Sequence, residues 1–565
     1  MSENQTRERS EDRRRVVIVG GVAGGASCAA RLRRLDENAE IVMVERGPHI
    51  SFANCGLPYH IGGVIEDREK LLIQTPESFE RRFDVDVRTL TEAVDIDPEA
   101  RNITLRDVDN GQQEGLDYDD LVLSPGASPF LPPIPGVELD EVYSLRTIPD
   151  MDFIIEACDK SRVEHVTVVG GGFIGVEVAE NLIHRGIDVT LVEMNDQLMP
   201  NLDREMAASV AEACIRNGVE LCLEMAVTAI EEAGGKLRIH LDDQATYQTD
   251  MVVMAVGVRP ETELAEAAGL ELGEWGGIVV DEMMRTSKAH IYAIGDAVEV
   301  IHRVTGDQGP MALAGPANRQ GRLVADVICG RNREYLGPVG TSIIKVFDTV
   351  AACTGLSQSQ ARRREVPHRV AWVTSKSHAS YYPGAEPVTL KVVFDEETGL
   401  LLGAQAFGKE GVDKRIDVLA TAVAAGMTVD ELEQLDLAYA PPFSSAKDPV
   451  NHVGAVADGI LRADHPAASW EEVIGPPKNG RLVLDVRTPE EFDAGTIPGA
   501  VNIPLDELRE RIDELPENSS PIVLCKEGLR GYLATRILVQ NGHRPRNLLG
   551  GYELWRLASA HVGMG

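Results

Sequence analysis

The sequence predicts an α/β protein: two dinucleotide-type βαβ units, an α+β domain after them, and a small α/β domain at the C-terminal end. Three observations carry that expectation. First, an apolar strand, a glycine-rich turn and a helix occur twice, as VVIVGGVAGGASCAARLRRL at 16–35 and VTVVGGGFIGVEVAENLIHRG at 166–186. Each copy runs on into a second strand that ends in an acid, IVMVE at Glu45 and VTLVE at Glu193, the order of a dinucleotide-binding unit. Second, from about 335 the texture changes to strand-like runs (TSIIKVFDTVAACTG, RVAWVTS, VTLKVVFD, LLLGAQAFG) followed by helical patterns near 412–436, which reads as α+β ending near 461. Third, RADHPAASW resembles a linker, and after it VLDVR, IPGAVNIP, PIVLCKEGLRG and LATRILVQNG alternate strands, turns and helices, which predicts a last α/β domain.

The chain has 565 residues, 43% hydrophobic, 26% charged and 5% aromatic, enough for several domains. Lys+Arg 55 against Asp+Glu 90 gives a net charge of −35, which repels nucleic-acid phosphates and anionic membrane surfaces. No apolar run reaches the roughly 20 residues that span a bilayer. The opening stretch MSENQTRERSEDRRR is charged and holds no apolar h-region, so a cytoplasmic rather than a secreted protein is expected. The eight cysteines (Cys28, Cys55, Cys158, Cys214, Cys222, Cys329, Cys353, Cys525) are scattered with no C-x-x-C pair. That argues against a disulfide framework and against a metal site, so any special cysteine acts alone.

In the second unit Gly170, Gly172 and Gly175 fit the fingerprint fully: a tight turn, close approach to a pyrophosphate, and close helix packing at a helix N-terminus. Glu193 should accept hydrogen bonds from a ribose diol and repel a 2′-phosphate, so NADH is favoured over NADPH. In the first unit Gly20 and Gly25 fit, while Val22 stands where the second glycine belongs and Ala23 follows it. Two dinucleotides with complementary tasks suggest a resident flavin and an exchanging nicotinamide, which places FAD in the first unit with Glu45 on its ribose. The stretch TSKAHIYAIGDAVE supports this, because a strand ending in Gly295-Asp296 would offer a carboxylate and a helix N-terminus to ribityl hydroxyls and pyrophosphate. The expected domains are 14–150 with 280–334 for FAD, 151–279 for NAD, 335–461, and 470–565.

With these residues in place, the chain resembles the flavoprotein disulfide reductases over about residues 14 to 461. SFANCGLPYHIGG is similar to the coenzyme A disulfide reductases among them, with Cys55 as the redox cysteine. Other members carry C-x-x-x-x-C beside the flavin; here His60 occupies the fifth position after Cys55, so Cys55 must cycle through a bond to something else. A single thiolate can attack a disulfide, persulfide or peroxide. The resemblance makes 335–461 a dimerisation domain and implies two tyrosines brought in from the partner subunit; the matching motifs YYPG and LAYAPPF give Tyr381 and Tyr439 as proton donors, with Tyr382 adjacent. It also implies coenzyme A contacts at Ser27, Arg31, Arg34, Ser51, Asn54, Asn318 and Lys447. Of these, Ser27, Arg31 and Arg34 lie at i, i+4 and i+7 on one helix face, suited to phosphates. Phe83 stands where some members carry a lysine for the nucleotide portion, with Arg81 and Arg82 nearby.

Residues 470–565 resemble a single rhodanese domain. The run from Cys525 to Arg530 leads into a helix, so successive backbone N–H groups can point at its centre and stabilise a thiolate or persulfide anion. Lys526 and Arg530 add positive charge, while Glu527 adds a negative one. Four residues separate Cys525 from Arg530, the sulfur-sized loop, whereas the related dual-specificity phosphatases use a loop one residue longer. Rhodaneses commonly have G-H-I-P-G-A where this chain has Gly495-Thr496-Ile497, and Glu527 puts a negative charge in the loop, so thiosulfate is expected to be a poor donor.

Together the resemblances imply an FAD-dependent, single-cysteine NADH:persulfide, polysulfide and coenzyme A disulfide reductase, dimeric, with Cys525 carrying sulfane sulfur. One rival is an NADH peroxidase or oxidase cycling Cys55 through a sulfenic acid; those relatives carry a histidine at the position of Ala23. A rival of another class is an electron-transfer or sulfur-carrier protein whose substrate is a docked partner protein.

Overall fold

In the computed structural model, the described residues are 13–160, 163–475 and 481–559; the first twelve residues of the charged N-terminal stretch and the last six residues of the chain fall outside them. The chain divides into two units, one holding the residues up to Gly170 with Glu177–Thr190 and Val227–Pro338, the other holding Gly171–Val176, Leu191–Ala226 and everything from Val339.

The first unit is organised by a parallel sheet in the order Ile291–Ala293, Asp120–Leu123, Arg15–Val19, Glu40–Val44, Asp86–Arg88. Val16, Val17 and Ile18 are fully buried, as a strand covered on both faces must be. Helix Ala23–Arg33 makes the crossover from Arg15–Val19 to Glu40–Val44 and packs against helix Ala314–Ile328. A Cβ on Gly321 would come within 2.2 Å of the Gly24 carbonyl oxygen, so that helix pair requires glycine where it crosses. Strands His165–Val169, Met251–Met254 and Val142–Ser144 pair in parallel; His165–Val169 runs into the second glycine turn and helix Phe173–His184.

In the second unit an antiparallel sheet orders Ser342–Val346, Thr349–Gly355, Leu401–Gly408, Pro387–Asp395 and His368–Lys376, the four runs read from sequence with the first folded into a hairpin. The fully buried Lys391 carries two ion pairs, to Asp203 at 2.7 Å and to Glu205, and a hydrogen bond to Gln358 Oε1 at 2.9 Å, which compensates its desolvation. The last sheet is wholly parallel: Ala467–Ala468, Arg546–Leu548, Ile522–Leu524, Val483–Asp485, Val501–Asn502. Its central strand alternates, Val523 and Cys525 facing one apolar cluster and Ile522 and Leu524 another, the period-2 pattern of a strand buried on both sides.

Two expectations are corrected. Ala467–Ala468, placed in a linker, is an edge strand of that last sheet, pairing with Asn547 and Leu548. Gly295-Asp296 does not open a helix. It forms a single 3₁₀ turn, Gly295–Ala297, followed by strand Val298–Ile301; the buried Glu299 accepts from the backbone of Trp275 and Gly277 and holds that segment extended, so the helix begins only at Ala314.

Candidate active site

The two glycine turns share one construction. Gly20 has φ +93°, and a Cβ there would lie 2.0 Å from the Ser124 carbonyl oxygen; one on Gly25 would lie 1.8 Å from the Gly20 carbonyl oxygen. Gly170 has φ +107° with a Cβ position 2.4 Å from the Ala255 carbonyl oxygen, while Gly172 has nothing within 4 Å and Gly175 is buried in its helix. The acids close each turn. Glu45 accepts from Gly21 N at 2.9 Å and Gly47 N at 2.8 Å; Glu193 accepts from Gly171 N at 2.6 Å and Asn195 N at 2.8 Å. Sequence reasoning assigned these carboxylates to a ribose alone; they also brace the loops, and because Asn195 Nδ2 joins Asn195 N on Glu193 Oε1, it is Glu193 Oε2 and the two Glu45 oxygens that each retain a lone pair for a ribose hydroxyl. The free N–H groups of the helix beginning at Ala23 face the first turn, with Val22 at its N-cap. Asp296, raised above its ordinary range by burial, is a carboxyl in want of hydroxyl donors. Glycine-lined turns, braced acids and this carboxyl fit FAD at the first cradle and a nicotinamide dinucleotide at the second.

Cys55 sits on the 3₁₀ turn Asn54–Gly56, which feeds helix Leu57–Ile61 with Pro58 in its first turn. The residue is exposed, its N–H donates to Asn54 Oδ1 at 3.1 Å, and Sγ lies 3.8 Å from the same oxygen. Its thiol is pushed up by burial of its inner side first and then by the carboxylates of Glu177 and Asp296. Glu177 is itself raised to about 7 by burial, although Tyr59 donates to it at 3.2 Å. His60 is no redox partner: its Nδ1 bonds the Ile65 carbonyl at 2.5 Å.

Among the coenzyme A candidates, the structure brings Ser27, Arg31 and Asn318 together in the groove between two helices, but already engaged. Ser27 donates to Asn318, and Arg31 gives Nε and Nη2 to Asp326 at 3.0 and 2.7 Å. Arg34 is exposed at the helix C-cap, Ser51 has φ +44° with its N–H on the Gly21 carbonyl, and Lys447 is exposed in the second unit. Phe83 packs on Phe79 at 4.7 Å between centroids, with Arg81 and Arg82 exposed beside it.

Tyr381 and Tyr439 share a hydroxyl–hydroxyl bond of 2.8 Å while 74% and 48% exposed, and that bond raises the Tyr381 phenol. Tyr382 turns away, edge-on to His378, which separates it from the pair. Both tyrosine segments hang on a buried cluster that sequence reasoning missed. Arg415 bonds Asp448 at 2.9 Å and the Ser377 carbonyl at 2.7 Å, and Ala379 N reaches the Ser444 carbonyl at 3.0 Å.

Cys525 is 2% exposed at the end of its strand, and Sγ accepts from Gly528 N at 3.0 Å, with Gly528 at φ +120°. The loop carbonyls are drawn outward: Cys525 O by Tyr552 N, Lys526 O by Glu553 N, and Gly528 O by Asn547 Nδ2 at 3.2 Å. That leaves N–H groups to aim inward, the geometry of an anion nest. Under the domain, Asp485 takes Arg487 and, at 2.7 Å, the hydroxyl of Thr496. Arg530 is bidentate to Glu491, a partner sequence reasoning did not find, although T-P-E-E at 488–491 spells a capping box.

Two dinucleotide cradles and a lone surface thiol are the parts of a flavin- and nicotinamide-linked oxidoreductase. The chain belongs to the pyridine nucleotide-disulphide oxidoreductase family: residues 14–321 match it, and 341–449 match that family's dimerisation domain, while 469–558 match the rhodanese-like domain. Coenzyme A disulfide reductase of Staphylococcus aureus (strain JH9) is 36% identical over 441 residues, 78% of this chain and 99% of that protein. The crystal structure of reduced Bacillus anthracis CoADR-RHD superposes with a TM-score of 0.95 at 49% identity, covering 97% of this chain and 98% of that one. A NAD-dependent persulfide reductase from A. fulgidus gives 0.90 at 38%, covering 96% and 99%. No helix among the described residues is long and apolar enough to cross a membrane.

Proposed function

We propose that this chain is an NADH-dependent reductase of persulfides, polysulfides and coenzyme A disulfide, working as a cytoplasmic homodimer. The observation that carries the reading is Cys55: an exposed thiol alone on its turn, its would-be partner position filled by a histidine bound elsewhere. Gly20, Val22, Ala23, Gly25, Glu45, Gly295 and Asp296 hold FAD, and Gly170, Gly172, Gly175 and Glu193 hold NADH. Cys55 thiolate attacks coenzyme A disulfide, forming a mixed disulfide and releasing one coenzyme A thiolate; a coenzyme A persulfide attacked at its inner sulfur releases hydrosulfide instead. FAD, when bound, would supply reducing equivalents from NADH; Cys55 holds the mixed disulfide, whose two-electron reduction leaves the Cys55 thiolate and the second coenzyme A thiolate. The Tyr381–Tyr439 pair of one protomer protonates the thiolate leaving the other protomer's Cys55. Ser27, Arg31, Arg34, Ser51, Asn54, Asn318 and Lys447 grip coenzyme A, which requires Arg31 to share its guanidinium with Asp326. Cys525 carries sulfane sulfur in its nest, and the CoADR-RHD and persulfide reductase likenesses, which extend over both thiol sites, support pairing the two chemistries.

Steady-state turnover tests this. With NADH and either coenzyme A disulfide or coenzyme A persulfide, one NADH should be consumed per sulfur–sulfur bond split. Turnover with hydrogen peroxide alone would install the sulfenic-acid reading, and turnover only after adding a protein partner the electron-transfer reading.

Glu193 sets the nicotinamide preference. NADH should exceed NADPH in kcat/KM by roughly tenfold, about 1.4 kcal/mol, since a 2′-phosphate would meet the carboxylate. Equal values for the two cofactors would remove Glu193 from that role.

A further inference from the structure

We propose that Glu491 selects the sulfur donor of the Cys525 loop: by occupying Arg530 it turns the loop against doubly charged inorganic donors such as thiosulfate and toward organic persulfides. The proposal rests on the reading of Cys525 as a sulfur carrier. Arg530 Nη1 and Nη2 lie 2.6 and 2.7 Å from the two Glu491 oxygens, the fork geometry that fully engages one face of a guanidinium. Glu491 is fixed in that pose from its own helix, Pro489–Asp493. It closes a capping box, accepting from Thr488 N at 3.1 Å while its N–H donates to Thr488 Oγ1 at 3.3 Å. Arg530 holds its carboxyl down to about 2, so it is ionised at every pH at which a thiolate exists. The other loop cation, Lys526, lies 3.7 Å from Glu527. Two cations face two anions, and the side chains bring no net charge to the mouth; what remains for an anion is the backbone N–H set exemplified by Gly528 on Sγ.

With thiosulfate, Cys525 thiolate bonds the outer sulfur, the thiosulfate S–S bond breaks, and sulfite leaves with the electron pair. An organic persulfide gives its terminal sulfur in the same displacement and releases a thiolate. Cyanide then takes the terminal sulfur as thiocyanate and regenerates the Cys525 thiolate. The first donor brings two negative charges to the reacting end and feels Glu491 most.

The variant E491Q tests the assignment, because glutamine can keep the capping box while removing the charge and one of the two hydrogen bonds that occupy Arg530. In thiosulfate:cyanide sulfur transfer its kcat/KM should rise on the order of tenfold, while with glutathione persulfide as donor it should stay within about twofold. E490Q is the control: Glu490 shares the same helical turn and engages Thr488 rather than Arg530, so it should change neither. Equal rises in both variants would reduce the effect to general surface charge and overturn the proposal. So would an unchanged thiosulfate rate in E491Q, or a matched loss with both donors, which would make Glu491 a brace for the loop. Should neither donor load sulfur onto Cys525 in the parent chain, as read by intact mass, the carrier reading falls and takes this proposal with it.

Discussion

Cys55→Ser is expected to keep its flavin and its NADH affinity and to lose disulfide and persulfide reduction by at least on the order of a thousandfold. The serine hydroxyl is a far weaker nucleophile at neutral pH, and its oxygen cannot hold the mixed-disulfide state through which the substrate must pass. The cradle glycines and braced acids do not involve the thiol, so flavin absorbance and nicotinamide binding should match the parent. The substitution is also gentle to the fold, because Cys55 is exposed and its polar contacts are a backbone N–H and a 3.8 Å approach to Asn54, both compatible with serine. Near-normal turnover would end the single-cysteine mechanism. Loss of flavin along with activity would mean that the turn at 54–56 supports the cofactor site, and the variant would then say nothing of nucleophilicity.

The environment of Cys55 sharpens this expectation. Burial and two carboxyls, Glu177 and Asp296, oppose its thiolate, the reverse of the electropositive pockets that activate many cysteines. Glu177, at about 7, is close to half-protonated at neutral pH, so one of the opposing charges is present only in part under working conditions. The hydroxyl donors of a ribityl chain would meet the other, Asp296.

What the sequence made legible were features that the backbone dictates locally. Gly20, Gly25 and Gly170 could be read because no side chain fits their turns, and that requirement is written in the residue itself. The antiparallel strands after 340 could be read because β-branched and aromatic residues crowd into short runs such as TSIIKVFD, RVAWVTS and VTLKVVFD. What stayed hidden were partnerships across long stretches of chain. Arg31 looked like a free cation on a helix face, yet Asp326, 295 residues on, claims it. Arg530 looked like the cation of its own loop, yet Glu491 lies 39 residues before it. The Arg415–Asp448 cluster under the tyrosine segments carries no local signature at all. Gly295-Asp296 misled for a related reason: an aspartate after a strand is a common N-cap, and only the pairing of Val298–Ile301 with Ile278–Val279 and Gln308–Pro310 settles the segment as a strand.

Cys525→Ser should split the substrates. Coenzyme A disulfide and coenzyme A persulfide reach Cys55 by diffusion, so their reduction should change by less than about twofold, whereas reduction of polysulfide should fall by more than roughly tenfold, because it needs a first thiol acceptor and loses the one the nest stabilises. The domain should survive the change. Serine is slightly smaller and can take the same Gly528 N–H bond, and the carbonyls of the loop are held by Tyr552, Glu553 and Asn547 rather than by the sulfur. Loss of both activities together would make Cys525 an obligatory relay in every turnover or the domain a structural requirement; unchanged flavin content and circular dichroism would select the relay. Unchanged activity on every substrate would leave Cys525 without a part in reduction and favour a docking task for its domain. The buried position of Cys525 makes the split informative, since a sulfur 2% exposed and held by Gly528 N meets a donor only through its own loop, so a loss confined to polysulfide reports on transfer at that loop.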